Sequence, residues 1–244
     1  IEENPWTVCW EDIASKIEKP RAILMISAHW FTEESLIQGD EFPEMIYDMY
    51  GFPDEIYEIL YPTKTDKDLI DRVQELLGYE VRTEKDRGYD HVAYAPLVKM
   101  YPEADIPVVQ LSVRNTATAK DWYDIGQKLQ PLRDEGVLII GSGNIVHNLR
   151  AVNPRLGDKA YPECVEFEER LLSYLTADST DTFEDIFQWN TFTGAQIAAA
   201  YPDHLAPFFY CVGAAGEPEA SEPAVLTQDY LWGAMSMTNL VWSN

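Results

Sequence analysis

Arg21-Ala22-Ile23-Leu24-Met25-Ile26-Ser27-Ala28-His29-Trp30-Phe31-Thr32, RAILMISAHWFT, is the stretch that decides the fold. Residues 21–27 are apolar without alternation, which predicts a strand covered on both faces, the usual state of a strand in a parallel sheet. Such strands commonly end in turn formers. This one ends in an imidazole followed by two large aromatics, so the strand either packs His29 or exists partly to hold it.

Working outward, short apolar runs alternate with helical periodicity. Trp6 to Ile17 reads as helix and stops before Lys19-Pro20. Residues 66–78 place Leu69, Ile70, Val73, Leu76 and Leu77 on one helical face and end at Gly78. A short strand over 79–84, a helix over 91–102 and a second buried strand over 106–113 follow. Residues 118–136 form a long helix in which Pro131 removes a hydrogen bond or introduces a kink. A third buried strand, 137–143, runs into a glycine-flanked loop. This rhythm predicts a single α/β domain spanning 1–244, with a largely parallel or mixed central sheet and helices on both faces. The second half is more helical, near 162–176, 181–189, 193–201 and 204–213. A Gly/Pro/Glu-rich loop at 216–223 precedes strand-like runs at 224–228 and 234–242.

The net charge of -24 over 244 residues excludes the usual electrostatics of nucleic-acid binding and of docking on anionic membranes. Cys9, Cys164 and Cys211 are far apart and form no CxxC pair, which reads as reduced thiols in a cytoplasmic protein. No run has the length of a membrane span, and no basic-then-apolar leader opens the chain. A homo-oligomer is compatible with all of this.

The chain has 4 histidines, and all stand at element boundaries, where scaffolds present functional groups. His29 and His147 each follow a buried strand, and ligands of open α/β sheets collect at such carboxyl ends. His91 and His204 open helices. For any one of them a capping or hydrogen-bonded role is the simpler reading. As a set they are suited to metal binding or acid–base work, although no HExxH or HxH spacing is present. Gly141-Ser142-Gly143-Asn144 lacks a phosphate-loop lysine and the GxGxxG pattern, which excludes nucleotide binding.

The blocks SAHWFT, YGFPDEIYEILYP, DHVAYAPLVKMYPEADIPVVQLSV, LRDEGVLIIGSGNIVHNLR and HLAPFFYCVGA, in this order over nearly the whole chain, resemble the DOPA 4,5-dioxygenase-like branch of the class III extradiol ring-cleavage dioxygenases. The resemblance implies a mononuclear non-haem metal site, Fe(II) in active members and Zn(II) in some as isolated. O2 is then a co-substrate and a small aromatic diol of the catechol type the substrate. His29 matches a metal ligand and His204 the late-chain ligand. His147 matches a histidine described as ligand or as acid/base, and His91 one suited to substrate binding or proton transfer. Trp30, Tyr47 and Asn144 are the expected substrate contacts, with Phe31, Tyr50 and Phe52 as further candidates for an aromatic pocket. Asp90 and Asp203, each preceding a key histidine, are candidates to orient an imidazole. Ligating histidines must be neutral, so activity is expected to fall as the pH drops.

Two departures stand out. The family has a further ligand histidine in an N-terminal HGSP motif on a first strand, expected upstream of Ile1. Tyr47 stands where relatives often carry a histidine in an HDF motif, which leaves two alternatives to ring cleavage: a repurposed binding protein and a zinc-dependent hydrolase.

Overall fold

A computed structural model describes residues 3–78, 81–176, 179, 181–216 and 222–243. The expected strand residues Tyr79 and Glu80, and residues 217–221 of the expected loop, lie outside them. In chain order the first elements are α1 (Pro5–Lys16), β1 (Ala22–Thr32), β2 (Leu36–Gln38), β3 (Met45–Ile46) and α2 (Lys67–Leu77). Then come β4 (Arg82–Glu84), β5 (Tyr89–Asp90), α3 (His91–Met100), β6 (Val108–Arg114), α4 (Ala119–Leu129), α5 (Pro131–Asp134) and β7 (Val137–Ser142). The last part holds α6 (Pro162–Ser173), α7 (Ala195–Ala198), α8 (Ala206–Ala215), β8 (Ala224–Thr227), β9 (Tyr230–Leu231), β10 (Met235–Ser236) and β11 (Asn239–Val241). No helix among the described residues is long and apolar enough to cross a membrane.

The chain gathers into two compact units, Ile1–Thr116 with Pro131–Ser142, and Ala117–Gln130 with Gly143–Asn244. The first holds a mixed five-stranded sheet in the order β4-β2-β6-β1-β7. β1 pairs in parallel with β6 and β7, β2 in parallel with β4, and β2 antiparallel to β6. The α/β class with a mixed central sheet flanked by helices is therefore as the sequence predicts. Ala22 to Ile26 have no exposure at all, and Val108 to Val113 are buried throughout. The covering helices explain the missing alternation: α3 packs on β1, α1 on α3 and α5 on β7.

Two expectations need correction. β7 is mostly half-buried, not a third buried strand: among the described residues it stands at the end of the strand order. The long helix over 118–136 is two helices, α4 and α5, parted at Pro131, whose ring cannot supply the amide hydrogen that continuity needs. Pro96 inside α3 has a different outcome. It leaves the carbonyl of Val92, four residues back, without its helical donor, and the Ser142 hydroxyl at the end of β7 donates to that carbonyl at 2.6 Å.

The register of β1 on β6 slips within one stretch. Ile26 pairs with Leu111 and Phe31 with Val113, so Ser27 to Trp30 face Ser112 alone on the partner strand. Bulges of this kind bend a strand and re-aim its side chains. His29 sits inside this one.

In the second unit α4 and α8 pack at backbone contact. A methyl group on Gly126 would stand 2.1 Å from the Tyr210 carbonyl, and one on Gly213 would stand 2.0 Å from that of Tyr123. Only glycine at both positions permits this approach. Aromatic rings close around the crossing, with Trp122 6.2 Å from Phe209 and Tyr123 5.3 Å from Phe187. The region over 181–189, expected as helix, is the 3-10 segment Phe183–Thr191. Two short antiparallel pairs, β8 with β11 and β9 with β10, complete the unit.

Glu168 on α6 is wholly buried, and Thr238 donates to it at 2.8 Å. Burial raises its carboxyl above the ordinary range, and the polar groups of Tyr230, Thr238, Ser236 and Gln228 oppose this only in part. A raised carboxyl holds its proton in the folded chain after the unfolded chain has lost it. The stability it contributes is complete below the unfolded value of about 4.3 and fades as pH rises through the folded value. In denaturant titrations across pH, wild type is expected to lose stability relative to Glu168→Gln as the pH climbs through that window. A difference that instead grew with pH would mean an ionised Glu168.

Candidate active site

The histidine at the β1 bulge meets two other polar groups. His29 Nδ1 lies 2.5 Å from Asp48 Oδ2, and His91 Nδ1 lies 2.6 Å from Asp48 Oδ1. The backbone amide of His91 also donates to Asp48 Oδ1, at 3.1 Å. The two imidazoles meet edge to face, with centroids 4.6 Å apart and planes at 84°. All three side chains are about one quarter exposed, so the cluster is open to solvent on one side. Burial by itself would raise the Asp48 carboxyl, but hydrogen bonds from His29 and His91 outweigh it and hold the group well below the usual carboxylate range.

Local structure explains why these residues meet. β3 pairs in parallel with β5, Met45 beside Tyr89 and Ile46 beside Asp90. Asp48 follows Ile46 by two residues and His91 follows Asp90 by one, so both stand just past the paired ends of β3 and β5. The approach to β5 is pinned from below by two wholly buried amides. Gln38 donates to the Arg87 carbonyl at 2.7 Å, and Gln110 to the Gly88 carbonyl at 2.9 Å. Gly88 leaves no room for a side chain, since a methyl group there would stand 2.3 Å from the Glu44 carbonyl.

Asp90, expected to orient an imidazole, does something else. Its buried carboxylate caps α3 by accepting from the Ala93 amide at 2.9 Å, accepts from the Ser27 hydroxyl at 2.7 Å, and pairs with Arg87. Ser27 Oγ in turn accepts from the His29 amide at 3.2 Å. Asp90 thus fixes the backbone under both histidines while Asp48 holds their rings. The acidic residue beside the imidazoles is Asp48, which sequence reasoning passed over in favour of its neighbour Tyr47.

In the second unit His147 and His204 stack face to face, with centroids 3.5 Å apart and planes within 2°. The His147 amide donates to the Ala198 carbonyl at 2.8 Å, and His147 forms an isolated bridge with Met235. Asp203 accepts from the His204 amide at 2.9 Å. Burial would raise the Asp203 carboxyl, but hydrogen bonding to His204 and the fields of His204 and His147 lower it. Asp203 therefore stands beside an imidazole, as its sequence position implies.

The remaining candidates occupy packed positions. Trp30 is buried, with the Arg87 guanidinium 5.2 Å over its ring. The Tyr47 hydroxyl donates to the Ile59 carbonyl at 2.8 Å, and its ring packs on Tyr57 and Tyr94. The Asn144 side chain donates to the Ser236 carbonyl at 2.5 Å, and its amide to the His204 carbonyl at 3.0 Å. Tyr50 is 89% exposed and Phe52 55%, so neither belongs to an enclosed aromatic pocket.

One ligand-capable atom from each of His29, Asp48 and His91 lies within 4.8 Å of the others. Imidazole nitrogens backed by a carboxylate, in a cluster open on one side, suit a first-row metal ion such as iron or zinc.

A metal-capable cluster at the end of a strand in an α/β sheet marks a candidate enzyme active site. The sequence over residues 6–237 matches the family model described as the catalytic LigB subunit of aromatic ring-opening dioxygenase. The chain belongs to this family, the class III extradiol dioxygenases. It is 34% identical to the 4,5-DOPA dioxygenase extradiol of Escherichia coli (strain K12), over 98% of this chain and 89% of that one. It is 41% identical to the 4,5-DOPA dioxygenase extradiol of Beta vulgaris, over 87% of this chain and 79% of the other. The crystal structure of an uncharacterized protein from Escherichia coli K12 superposes with a TM-score of 0.84 at 31% identity, over 98% of this chain and 93% of its own.

Proposed function

We propose that this chain is a non-haem Fe(II)-dependent extradiol dioxygenase that inserts both atoms of O2 into the ring of a catechol, DOPA being the first substrate to try. The observation that carries the reading is the closure of His29 and His91 on Asp48 at a bulged strand end, in a chain of the ring-opening family. The names of the bacterial and plant relatives supply the substrate class. Each histidine's role is taken from the family motif that it matches: in the first unit, metal ligand for His29 and proton carrier for His91; in the second, late-chain ligand for His204 and acid or base for His147.

Bound Fe(II) supplies the means for O2 to react with an electron-rich ring, while Zn(II) would occupy the same donors without that redox chemistry. The side chains supply orientation and proton movement. With Nδ1 engaged by Asp48, His91 exchanges protons at Nε2, the nitrogen left available. Tyr47, whose hydroxyl is engaged by Ile59 and whose ring packs on Tyr57 and Tyr94, cannot act as the histidine of an HDF motif would.

Protein loaded with Fe(II) anaerobically, then given O2 and a panel of catechols that includes DOPA, is expected to consume O2 in step with substrate. A yellow ring-opened product should accumulate. No O2 uptake across the whole panel would overturn the reading.

A further inference from the structure

Asp48 has two carboxylate oxygens, and both are occupied. Oδ2 takes the ring of His29, while Oδ1 takes both the ring and the backbone amide of His91. A carboxylate at neutral pH accepts hydrogen bonds and donates none. Each Nδ1 must therefore carry the hydrogen, which leaves the lone pair of each ring on Nε2. One acidic side chain so sets the tautomer of two imidazoles and the 84° angle between them.

We propose that Asp48 is a shared positioning residue: it presents Nε2 of His29 to the metal and Nε2 of His91 to the substrate, and is not itself a metal ligand. The proposal deepens the metal-site reading above and rests on it for the metal alone. Three features favour orientation over ligation. Both oxygens already hold N–H donors, and a cation on either oxygen would meet those hydrogens head-on. The pairing of β3 with β5 fixes Asp48 against the His91 backbone. Histidines that bind metals through one nitrogen characteristically donate the other N–H to such a carboxylate.

The coupling has a chemical consequence. His29 and His91 cannot reorient independently, because a rotation of the Asp48 carboxylate that follows one ring withdraws an oxygen from the other. The distance between metal and proton carrier is thereby set by one side chain. Asparagine at this position offers one acceptor oxygen and one NH2 donor, so it can support the Nδ1–H form of only one ring.

The test reads tautomers and metal binding, neither of which needs turnover. Long-range proton–nitrogen correlation spectra of metal-free wild type are expected to show both His29 and His91 as Nδ1–H. An Nε2–H form at either ring in wild type overturns the proposal, and this holds even should every variant fail to fold. Asp48→Asn is expected to lose the Nδ1–H form at one of the two rings and to bind Zn(II) roughly 10–100-fold more weakly. Co(II)-substituted Asp48→Asn should keep the visible d–d bands of Co(II) wild type, since the direct ligands are unchanged. Bands that report a lost oxygen ligand, or undiminished Zn(II) affinity with unaltered tautomers, would each overturn it. A protein with these tautomers and no O2 uptake would sink the dioxygenase reading and leave this one standing.

Discussion

His29→Ala is expected to purify with its far-UV circular dichroism intact, to hold less than stoichiometric iron after anaerobic loading, and to lose catechol-dependent O2 uptake. The loss should exceed the roughly 100-fold that removal of an outer hydrogen-bond partner costs, because the proposed assignment makes His29 a ligand itself. The fold survives because the pairs on either side of the bulge, Ile26 with Leu111 and Phe31 with Val113, do not involve His29. Its ring is also about a quarter exposed, so little core packing is lost. Inductively coupled plasma analysis beside oxygen-electrode rates provides the check. Stoichiometric iron with unchanged turnover would remove His29 from the metal site.

His147→Ala is the complementary case. It should keep its iron and lower kcat by about 10²–10⁴-fold, the range by which a positioned acid or base accelerates a reaction. The backbone bond from His147 to Ala198 does not depend on the side chain and should hold the loop in place. His204 loses its stacking partner, but the Asp203 bond to its backbone amide remains. Metal content separates the two roles that the family allows for His147. Iron lost together with kcat assigns it as a ligand, and a kcat within tenfold of wild type denies it both roles.

Much of this architecture is legible in the sequence where burial is continuous. β1 is apolar without a break from Ala22 to Ile26 because sheet neighbours and helices cover both faces, and its missing alternation is the direct trace of that cover; β6 is buried as continuously, with Gln110 and Ser112 inside its apolar run. β7 shares the composition without the cover, and composition cannot tell an edge from a centre. β2, β3 and β5 are two or three residues long, too short to show any period, and they exist through partners far away in the chain. The site divides along the same line. With 4 histidines in the chain, their placement at element ends marks all of them as candidates. The meeting of His29, Asp48 and His91 depends on the β3–β5 register, which leaves no local signal. Asp48 is also one of many acids in a strongly acidic chain, so its residue type carries no contrast. Only its place in the stretch where relatives often read HDF draws attention to it.

The bulge in β1 separates two demands on one strand. In an uninterrupted strand a slip of one residue would turn every side chain to the opposite face and carry the core out with the site. Here the pairs at Ile26 and Phe31 clamp the strand on both sides, and any slip is confined to Ser27 to Trp30. A lineage can therefore alter what this strand end presents to a ligand while the hydrophobic order from Ala22 to Ile26 stays untouched. The strand is thereby separable into two parts, a buried girder and an adjustable fitting at its tip.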